Sequence, residues 1–263
     1  MGTLNVVYFS PTGTSRAIAE TVVQGLAADQ VRYMDITLPQ GRQEPLLTEE
    51  NDLLIVAAPV YGGRLPGLVS NWLEGIRAQG TPTVCVVVYG NRAYEDALLE
   101  LHDLVMDGGG LPVACAAFIG EHSFSSGNTP IAVDRPDDQD LAQAVAFGKA
   151  VREKLDTEPR EQWAVSVPGN TPYKERGPAI TEVFLEVGAS CTRCGLCQET
   201  CPVGAIDLDQ DLLLDMSKCI RCCACIKVCP EQARTMLPGT KMMEISQWLA
   251  GNFQERKEPE LFL

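Results

Sequence analysis

The chain has 263 residues, of which 45% are hydrophobic, and it carries a net charge of −14 with a pI near 4.6. That length is enough for two domains. Because so acidic a surface repels phosphate backbones, we expect no DNA or RNA partner. No apolar run approaches the ~18 residues of a membrane helix, and residues 5–9 already form a predicted strand without a basic leader. We therefore expect a soluble, cytoplasmic protein without a membrane span.

Five short β-branched runs alternate with helical stretches over the first 156 residues. The runs cover residues 5–9, 31–36, 53–58, 84–88 and 113–119. Apolar residues at helical spacing lie between and after them, for example Ile18, Val22 and Leu26. This alternation predicts an α/β fold with a doubly wound, five-stranded parallel sheet in the order 2-1-3-4-5. Its ligand crevice is expected at the carboxyl ends of strands one and three.

The turn after the first strand is rich in hydroxyl groups and leads directly into a helix. It reads Ser10-Pro11-Thr12-Gly13-Thr14-Ser15. Hydroxyls and free N–H groups at a helix start form an anion site. No lysine follows the glycine, so the turn differs from nucleoside-triphosphate loops. We interpret it as a site for a terminal phosphate monoester, and the alternative is simple helix capping.

His122 follows the fifth strand and is expected at the same carboxyl edge of the sheet. It is a candidate catalytic proton donor to a bound cofactor or substrate. The alternative is a polar loop residue that only satisfies backbone groups. The other histidine, His102, lies on a predicted helix and is interpreted as structural.

One cysteine phrase occurs twice in the second half of the chain. Cys-x2-Cys-x2-Cys-x3-Cys-Pro covers residues 191–202 and again residues 219–230. This is the bacterial ferredoxin spacing for two [4Fe–4S] clusters, in which the fourth cysteine of each run ligates the other cluster. Cluster 1 is therefore assigned to Cys191, Cys194, Cys197 and Cys229. Cluster 2 is assigned to Cys219, Cys222, Cys225 and Cys201.

Zinc and disulfides explain these cysteines less well. Zinc sites usually pair two Cys-x-x-Cys hooks across a longer gap, and disulfides belong to oxidising compartments. Of the remaining cysteines, Cys85 and Cys115 lie in predicted buried strands and receive no role. Cys223 stands where the first repeat has Gly195, and we expect it to tune the surroundings of cluster 2 without ligating it.

Residues 157–182 contain four prolines and are predicted to be a linker, pinned to a domain surface by Trp163 and Tyr173. Residues 183–238 are too few to bury a full core, so we expect this second domain to unfold without iron. Short strands are expected around Phe184 and at residues 212–214. Residues 239–263 are predicted to form a helix and tail, which either packs on the body or makes a homodimer contact.

Ser10-x-Thr12-Gly13-x-Ser15 resembles the FMN phosphate loop of flavodoxins. Residues 58–66 and 89–94 are similar to the two loops that flank the flavin in that family. The whole chain resembles fusions of a flavodoxin-like domain, here residues 1–156, with a two-cluster bacterial ferredoxin, here residues 183–238. The resemblance implies FMN as a cofactor. The further FMN contacts that it implies are Pro59, Val60, Tyr61, Gly62, Gly63, Tyr89, Gly90 and Asn91.

Each flanking-loop contact has a structural alternative. Tyr61 either stacks on the flavin ring or packs over its own loop, and the glycines beside it either permit close approach or form a plain turn. Asn91 either helps to bind the pyrimidine edge or caps a turn. Arg64 and Arg92 depart from the acidic and aromatic surroundings typical of flavodoxins. Whether they face the ring or solvent is left open.

The resemblance implies an electron-transfer protein that passes electrons between FMN, two [4Fe–4S] clusters and an external partner. That partner is either a redox protein, such as a ferredoxin or a reductase, or a small organic acceptor. The alternative function is an FMN-dependent reductase of a small acceptor such as a quinone, which needs a proton donor such as His122. A third class, an iron or redox sensor, requires a DNA-binding or switch element, and the sequence shows none.

Overall fold

The first part of the chain alternates strands and helices, in agreement with the apolar spacing. The computed structural model of the protein describes residues 2–178, 181–210 and 214–263. Its first strands are β1 (Leu4–Tyr8), β2 (Val31–Asp35), β3 (Leu53–Pro59), β4 (Pro82–Tyr89) and β5 (Leu111–Ile119). The helices are α1 (Thr14–Leu26), α2 (Gly67–Leu73), α3 (Ala97–Asp107) and α4 (Asp138–Thr157), with short 3-10 helices at Pro39–Arg42 and Arg160–Gln162.

The second part has shorter elements around the cysteine runs. They are β6 (Leu185–Val187), α5 (Leu196–Glu199), α6 (Ala224–Lys227), β7 (Arg234–Met236), α7 (Lys241–Asn252) and β8 (Glu260–Phe262). β6 and β7 form a two-stranded antiparallel sheet. Of the strand expected at residues 212–214, Leu212 and Leu213 lie outside the described residues. Leu214 forms an isolated antiparallel bridge with Ile206.

The main sheet has the strand order β2-β1-β3-β4-β5-β8. Its first five strands are parallel, which confirms the flavodoxin-like, doubly wound α/β class. The predicted total of five strands is wrong, because β8 adds antiparallel to β5 with Phe262 opposite Cys115. A three-residue strand carries too little periodicity to be recognised in the sequence. It covers a sheet edge that would otherwise present unpaired N–H and C=O groups.

Helices cover both faces of the sheet, because its central strands are apolar throughout. α2 and α3 enclose one core layer, which contains Phe9 and Leu101. α1 and α4 enclose the other, which contains Ile18 and Phe147. α1 and α4 cross closely at Gly25, where a Cβ atom would lie 2.1 Å from the backbone oxygen of Val145. Glycine at this crossing holds α1, and with it the hydroxyl-rich turn, against the body.

The segment between α4 and β6 is tethered to the first domain at several of its described residues. Lys154 Nζ donates to the backbone oxygen of Trp163 at 3.0 Å, and the Tyr173 hydroxyl donates to Asp103 at 2.5 Å. Asp96, at the start of α3, accepts from the backbone N–H groups of Asn170 at 2.8 Å and Lys174 at 2.6 Å. The bonds of Asp96, at the start of α3, place residues 170–174 near the carboxyl edge of the sheet, whereas Lys154 also donates to Val113 O near the start of β5, toward the other edge.

α7 packs back on the first domain, which was one of the two alternatives expected for this helix. Met242 and Leu249 are buried, and Ser246 Oγ donates to the backbone oxygen of Phe124 at 3.1 Å and contacts Thr129 Oγ1 at 2.9 Å. Over the ranges that the structure describes, no helix combines the length and the hydropathy needed to cross a membrane.

Candidate functional site

The two cysteine runs fold into loops with the same backbone path. Arg193 and Arg221, at equivalent positions, both have positive φ values, of 56° and 61°. Two residues later, Gly195 and Cys223 begin α5 and α6 in the left-handed region, with φ of 87° and 55°. Glycine adopts this conformation without strain, whereas Cys223 does not. The sequence repeat therefore reflects a structural repeat.

The eight predicted ligands divide between two cavities in the crossed pattern expected from their spacing. Cys191, Cys194, Cys197 and Cys229 line one cavity, here called the outer cavity. The second, here called the inner cavity, is lined by the four other cysteines of the set: Cys201, Cys219, Cys222 and Cys225. Each cavity thus combines three cysteines of one run with the fourth of the other.

Hydrogen bonds to two of the cysteine sulfurs suit their proposed role as thiolate ligands. Backbone N–H groups of Ala205 and Ala233 donate to the sulfurs of Cys201 and Cys229 at 3.2 and 3.3 Å. Such bonds favour the thiolate and tune the potential of a bound cluster. No three His, Cys, Asp or Glu side chains in the described part of the chain form a site for a metal ion. The thiols instead surround cavities, as the ligands of a polynuclear cluster do.

The hydroxyl-rich turn contains both a capping bond and a free hydroxyl. The N–H of Arg16 donates to Ser10 Oγ at 3.0 Å. Gly13, in the left-handed region with φ of 88°, precedes α1. Ser15 is 1% exposed, and its Oγ has no hydrogen-bond partner in the structure as described. A buried hydroxyl without a partner at the N-terminus of a 13-residue helix fits a phosphate oxygen.

A cleft of about 340 Å³ opens beside this turn. Thr12, Gly13 and Thr14 line one side, and Glu121, Asp134, Arg135 and Lys227 are among the residues opposite. Arg135 is paired with Asp140, and Lys227 Nζ lies 2.6 Å from Glu121 Oε1. Because both cations already have carboxylate partners, the α1 N-terminus is the part of this cleft that remains available to an anion.

The predicted flavin-flanking loop after β3 comes close to the second cysteine run. Gly62 and Gly63 have φ of 63° and 87°, and Tyr61 and Arg64 pair across them. Burial raises the pKa of Tyr61 well above its usual value, and the nearby Cys222, Cys223 and Cys219 thiols raise it further. Pro59 and Val60 lead into this turn from the sheet, where the N–H of Val60 donates to Val88 O at 2.9 Å. Tyr61 therefore lies close to the thiols of the second cysteine run.

The other predicted flanking loop packs against His122 and the end of the chain. Tyr89 ends β4, and a Cβ atom on Gly90 would lie 2.2 Å from the His122 ring. Asn91 Nδ2 donates to the backbone oxygens of Phe253 and Glu255, each at 2.8 Å. The two flanking loops approach each other closely, because a Cβ on Gly63 would lie 1.8 Å from Glu95 Oε2.

His122 is held as a neutral imidazole. Burial and the positive charges of Arg92 and Lys227 lower the pKa of His122 to about 4. Its Nδ1 accepts from the N–H of Phe124 at 3.0 Å. At neutral pH the imidazolium form is therefore scarce. The catalytic role of His122 stays a prediction, and its structural alternative, satisfying a loop N–H, is present.

The two arginines of the flanking loops are engaged in ion pairs. Arg64 Nε lies 2.7 Å from Glu100 Oε2, and its guanidinium stacks over the Tyr173 ring at 4.6 Å. Arg92 lies 2.8 Å from Glu95. Glu100, which the sequence does not mark as special, also accepts from Leu65 N–H, Ser70 and Arg176.

The second cysteine run is docked on the carboxyl edge of the main sheet. Lys227, at the end of α6, reaches Glu121 and the backbone oxygen of Ser125 at 2.8 Å in the loop after β5. Arg42, after β2, donates to the backbone oxygen of Pro202 at 2.6 Å. Ile220 packs against the core layer beneath α2 and α3. The inner cavity is thus fixed beside the crevice, whereas Cys194 of the outer cavity is exposed.

Comparison with known proteins agrees with this two-part construction. Residues 190–233 match the family model described as the 4Fe-4S dicluster domain. A curated protein of Thermosynechococcus vestitus that is named as a diflavin flavoprotein is 27% identical over 106 residues, which are 39% of this chain and 18% of that protein. The chain thus spans less than a fifth of the length of this relative.

Two solved flavodoxins are similar to the first part of the chain. An archaeal flavodoxin has a TM-score of 0.41 and 15% identity, and covers 59% of this chain and 99% of its own. The flavodoxin of the pneumococcal strain TIGR4 has a TM-score of 0.40 and 18% identity, with 58% and 99% covered. The strand order and the dicluster match together define the class: a flavodoxin-like domain joined to an iron–sulfur domain of the ferredoxin type.

Proposed function

We propose that the chain is an electron-transfer protein that exchanges electrons between FMN, two [4Fe–4S] clusters and an external redox partner. The proposed cluster ligands are the four cysteines of the outer cavity and the four of the inner cavity. The observation that carries the proposal is the docking of the inner cavity on the crevice through Lys227, Arg42 and Ile220. Such docking holds two redox sites at a fixed separation, which one-electron transfer requires.

The residues of the first domain have separate roles in holding FMN. Ser15 and the N-terminus of α1 bind the phosphate, and Tyr61 borders the ring on the side of the inner cavity. When bound, FMN supplies exchange of electrons singly or in pairs, which lets it work beside one-electron clusters. Glu100 fixes the Tyr61 loop by accepting from the Leu65 N–H at 2.9 Å. The protein thus supplies distance, orientation and exclusion of water.

Exchange with the partner is proposed at the outer cavity. Cys194 is exposed there, and the apolar side chains of Val187 and Leu196 are 40% and 38% exposed at the same cavity. The chain as a whole is strongly acidic, so a protein partner with a basic face, of the ferredoxin or reductase kind, suits it, and Arg193, Arg234 and Glu231 are the charged residues at the outer cavity itself. In this proposal electrons pass between the protein and its partner at the outer cavity, and between the clusters and FMN at the inner cavity.

The experiment is a rapid-mixing measurement on the anaerobic protein loaded with iron and FMN. A reduced viologen supplies electrons, and the flavin and cluster absorbances are followed separately. We expect the final flavin reduction to proceed at a rate independent of protein and viologen concentration, because the last transfer is intramolecular. A flavin signal that scales with the viologen concentration throughout would contradict electron transfer through the clusters.

Phosphate recognition by Ser15 gives a separate prediction. FMN is expected to bind more tightly than riboflavin, and Ser15→Ala to reduce that preference about tenfold, because a hydrogen bond to a charged group is lost. Titration by quenching of flavin fluorescence measures both affinities. Thr21→Ala is the matched control, since its hydroxyl on the same helix donates to the backbone oxygen of Ala17 at 2.8 Å. Equal FMN and riboflavin affinities in the unmodified protein would refute the phosphate site.

A further inference from the structure

Arg234 is a charged side chain that is buried within the iron–sulfur domain. It is 3% exposed and begins β7, where it pairs with Val187 of β6. Charged side chains are almost never fully buried unless they are paired. The first cysteine run has Ile206 at the equivalent position, 28 residues earlier, and Ile206 is 4% exposed. The second run thus places a cation where its repeat has an apolar core residue.

The guanidinium of Arg234 reaches thiols of both cavities. Its Nη2 donates to Cys197 Sγ at 3.8 Å, and Arg234 is among the residues that line the outer cavity. Burial raises the pKa of the Cys225 thiol, in the inner cavity, to about 12, and the positive charge of Arg234 opposes part of this effect. The charge therefore acts on both cluster sites, and its direct contact is with the outer one.

The two cavities also differ in their access to solvent. Cys194 of the outer cavity is exposed, whereas Cys222 and Cys225 of the inner cavity are each 8% exposed. Water stabilises an added negative charge better than a buried, apolar site does. Solvent exposure is also one of the factors that set the reduction potential of an iron–sulfur cluster. Exposure and the guanidinium therefore favour negative charge at the same cavity.

On the basis of the proposed function, we propose that Arg234 raises the reduction potential of the cluster in the outer cavity and makes it the higher of the two. Reduction adds one electron, and thus one negative charge, to a cluster. A cation held against a ligand sulfur favours that charge, and the attraction is strong where water is excluded. An electron then moves spontaneously from the reduced inner cluster to the oxidised outer one, and so toward the external partner.

The test is a potentiometric titration of the anaerobic, cluster-loaded protein, followed by electron paramagnetic resonance, with Cys194→Ala used to identify the outer signal. Arg234→Met, which removes the charge but keeps an unbranched chain, is expected to lower the reduction equilibrium constant of the outer cluster about tenfold, or about 59 mV for one electron. The inner cluster is expected to shift less. Arg234→Lys keeps the charge and should retain most of the potential. Arg193→Met is the matched control, because Arg193 lines the same cavity but is exposed, so that solvent screens its charge.

The potential of the outer cluster decides whether the charge of Arg234 has this role. An unchanged potential in Arg234→Met, or an equal loss in Arg234→Lys, overturns the inference. Should Arg234→Met not fold, the unmodified protein still decides: the signal that Cys194→Ala removes must be reduced first, and the opposite order overturns the inference. An unmodified protein that assembles no cluster contradicts the proposed function itself, whereas intact clusters with unshifted potentials refute only the role of Arg234.

Discussion

Replacement of Cys222 by alanine is expected to remove about half of the eight irons of two [4Fe–4S] clusters, whereas replacement of the adjacent Cys223 leaves all of them. Both thiols line the inner cavity. The spacing of the repeat makes Cys222 the ligand, because Cys223 occupies the position of Gly195. Cys223 instead packs in the small core with Phe184 and Met242. Iron assay and cluster absorbance of the two purified variants measure the difference. The reverse pattern, with iron lost only from Cys223→Ala, would make Cys223 the ligand in place of Cys222.

Removal of all iron is expected to unfold residues 183–238 while the main sheet survives. The second domain has one two-stranded sheet of three-residue strands, and its core contains several of the predicted ligand cysteines. Without clusters, such a core buries too little apolar surface to offset chain entropy. Hydrogen exchange on the chelated full-length protein should lose protection in this segment alone. Retained protection there would show that the domain does not depend on iron for its fold.

The order of the parallel strands and the division of the cysteines between the two cavities could be predicted from the sequence, because both follow from local patterns. Alternation of β-branched runs and helical stripes fixes a parallel sheet, and the strands begin and end within two residues of the predicted runs. The pairing of Cys201 with the second run follows from the repeat. The turn at Gly62 and Gly63 was likewise indicated by its two glycines, which both have positive φ.

The contacts that assemble the site could not be predicted from the sequence. They join residues that are distant in the chain, through side chains that belong to no recognisable pattern. Pro202 and Lys227 belong to the cysteine runs, but nothing in the spacing of those runs indicates that they bond to Arg42 and Glu121 of the first domain. Asn91 was singled out for its loop, yet nothing local indicates that its amide meets the C-terminal tail. β8 was missed because its charged, three-residue segment has no pattern of its own. Spacing therefore identifies cofactor ligands better than it identifies the contacts that position cofactors.

Replacement of Glu100 by glutamine is expected to destabilise the first domain by about 3 kcal/mol and to weaken FMN binding. Glu100 is 3% exposed, and its carboxylate accepts from Arg64, Ser70 and Arg176. A neutral amide leaves two guanidinium groups without their shared counter-ion and turns an N–H group toward them. Breaking a buried ion pair from one side typically costs about 3–5 kcal/mol. Urea unfolding followed by tryptophan fluorescence measures the change, and Glu153→Gln on the exposed face of α4 is the control.

The pH dependence of this effect has a defined sign. Burial alone would raise the pKa of Glu100, but bonds from Arg64, the Leu65 N–H and Ser70 lower it overall. A carboxylate with a lowered folded pKa stabilises the protein above its unfolded value of about 4.3, and that contribution disappears as the pH falls through the folded pKa. The difference between the unmodified protein and Glu100→Gln should therefore be full at pH 7 and shrink only in acid. A stability difference between the two proteins that grows below pH ~4 would mean that the Glu100 carboxyl group is protonated in the native state. Arg64 and the Tyr61 loop would then be held by bonds other than those to a Glu100 carboxylate.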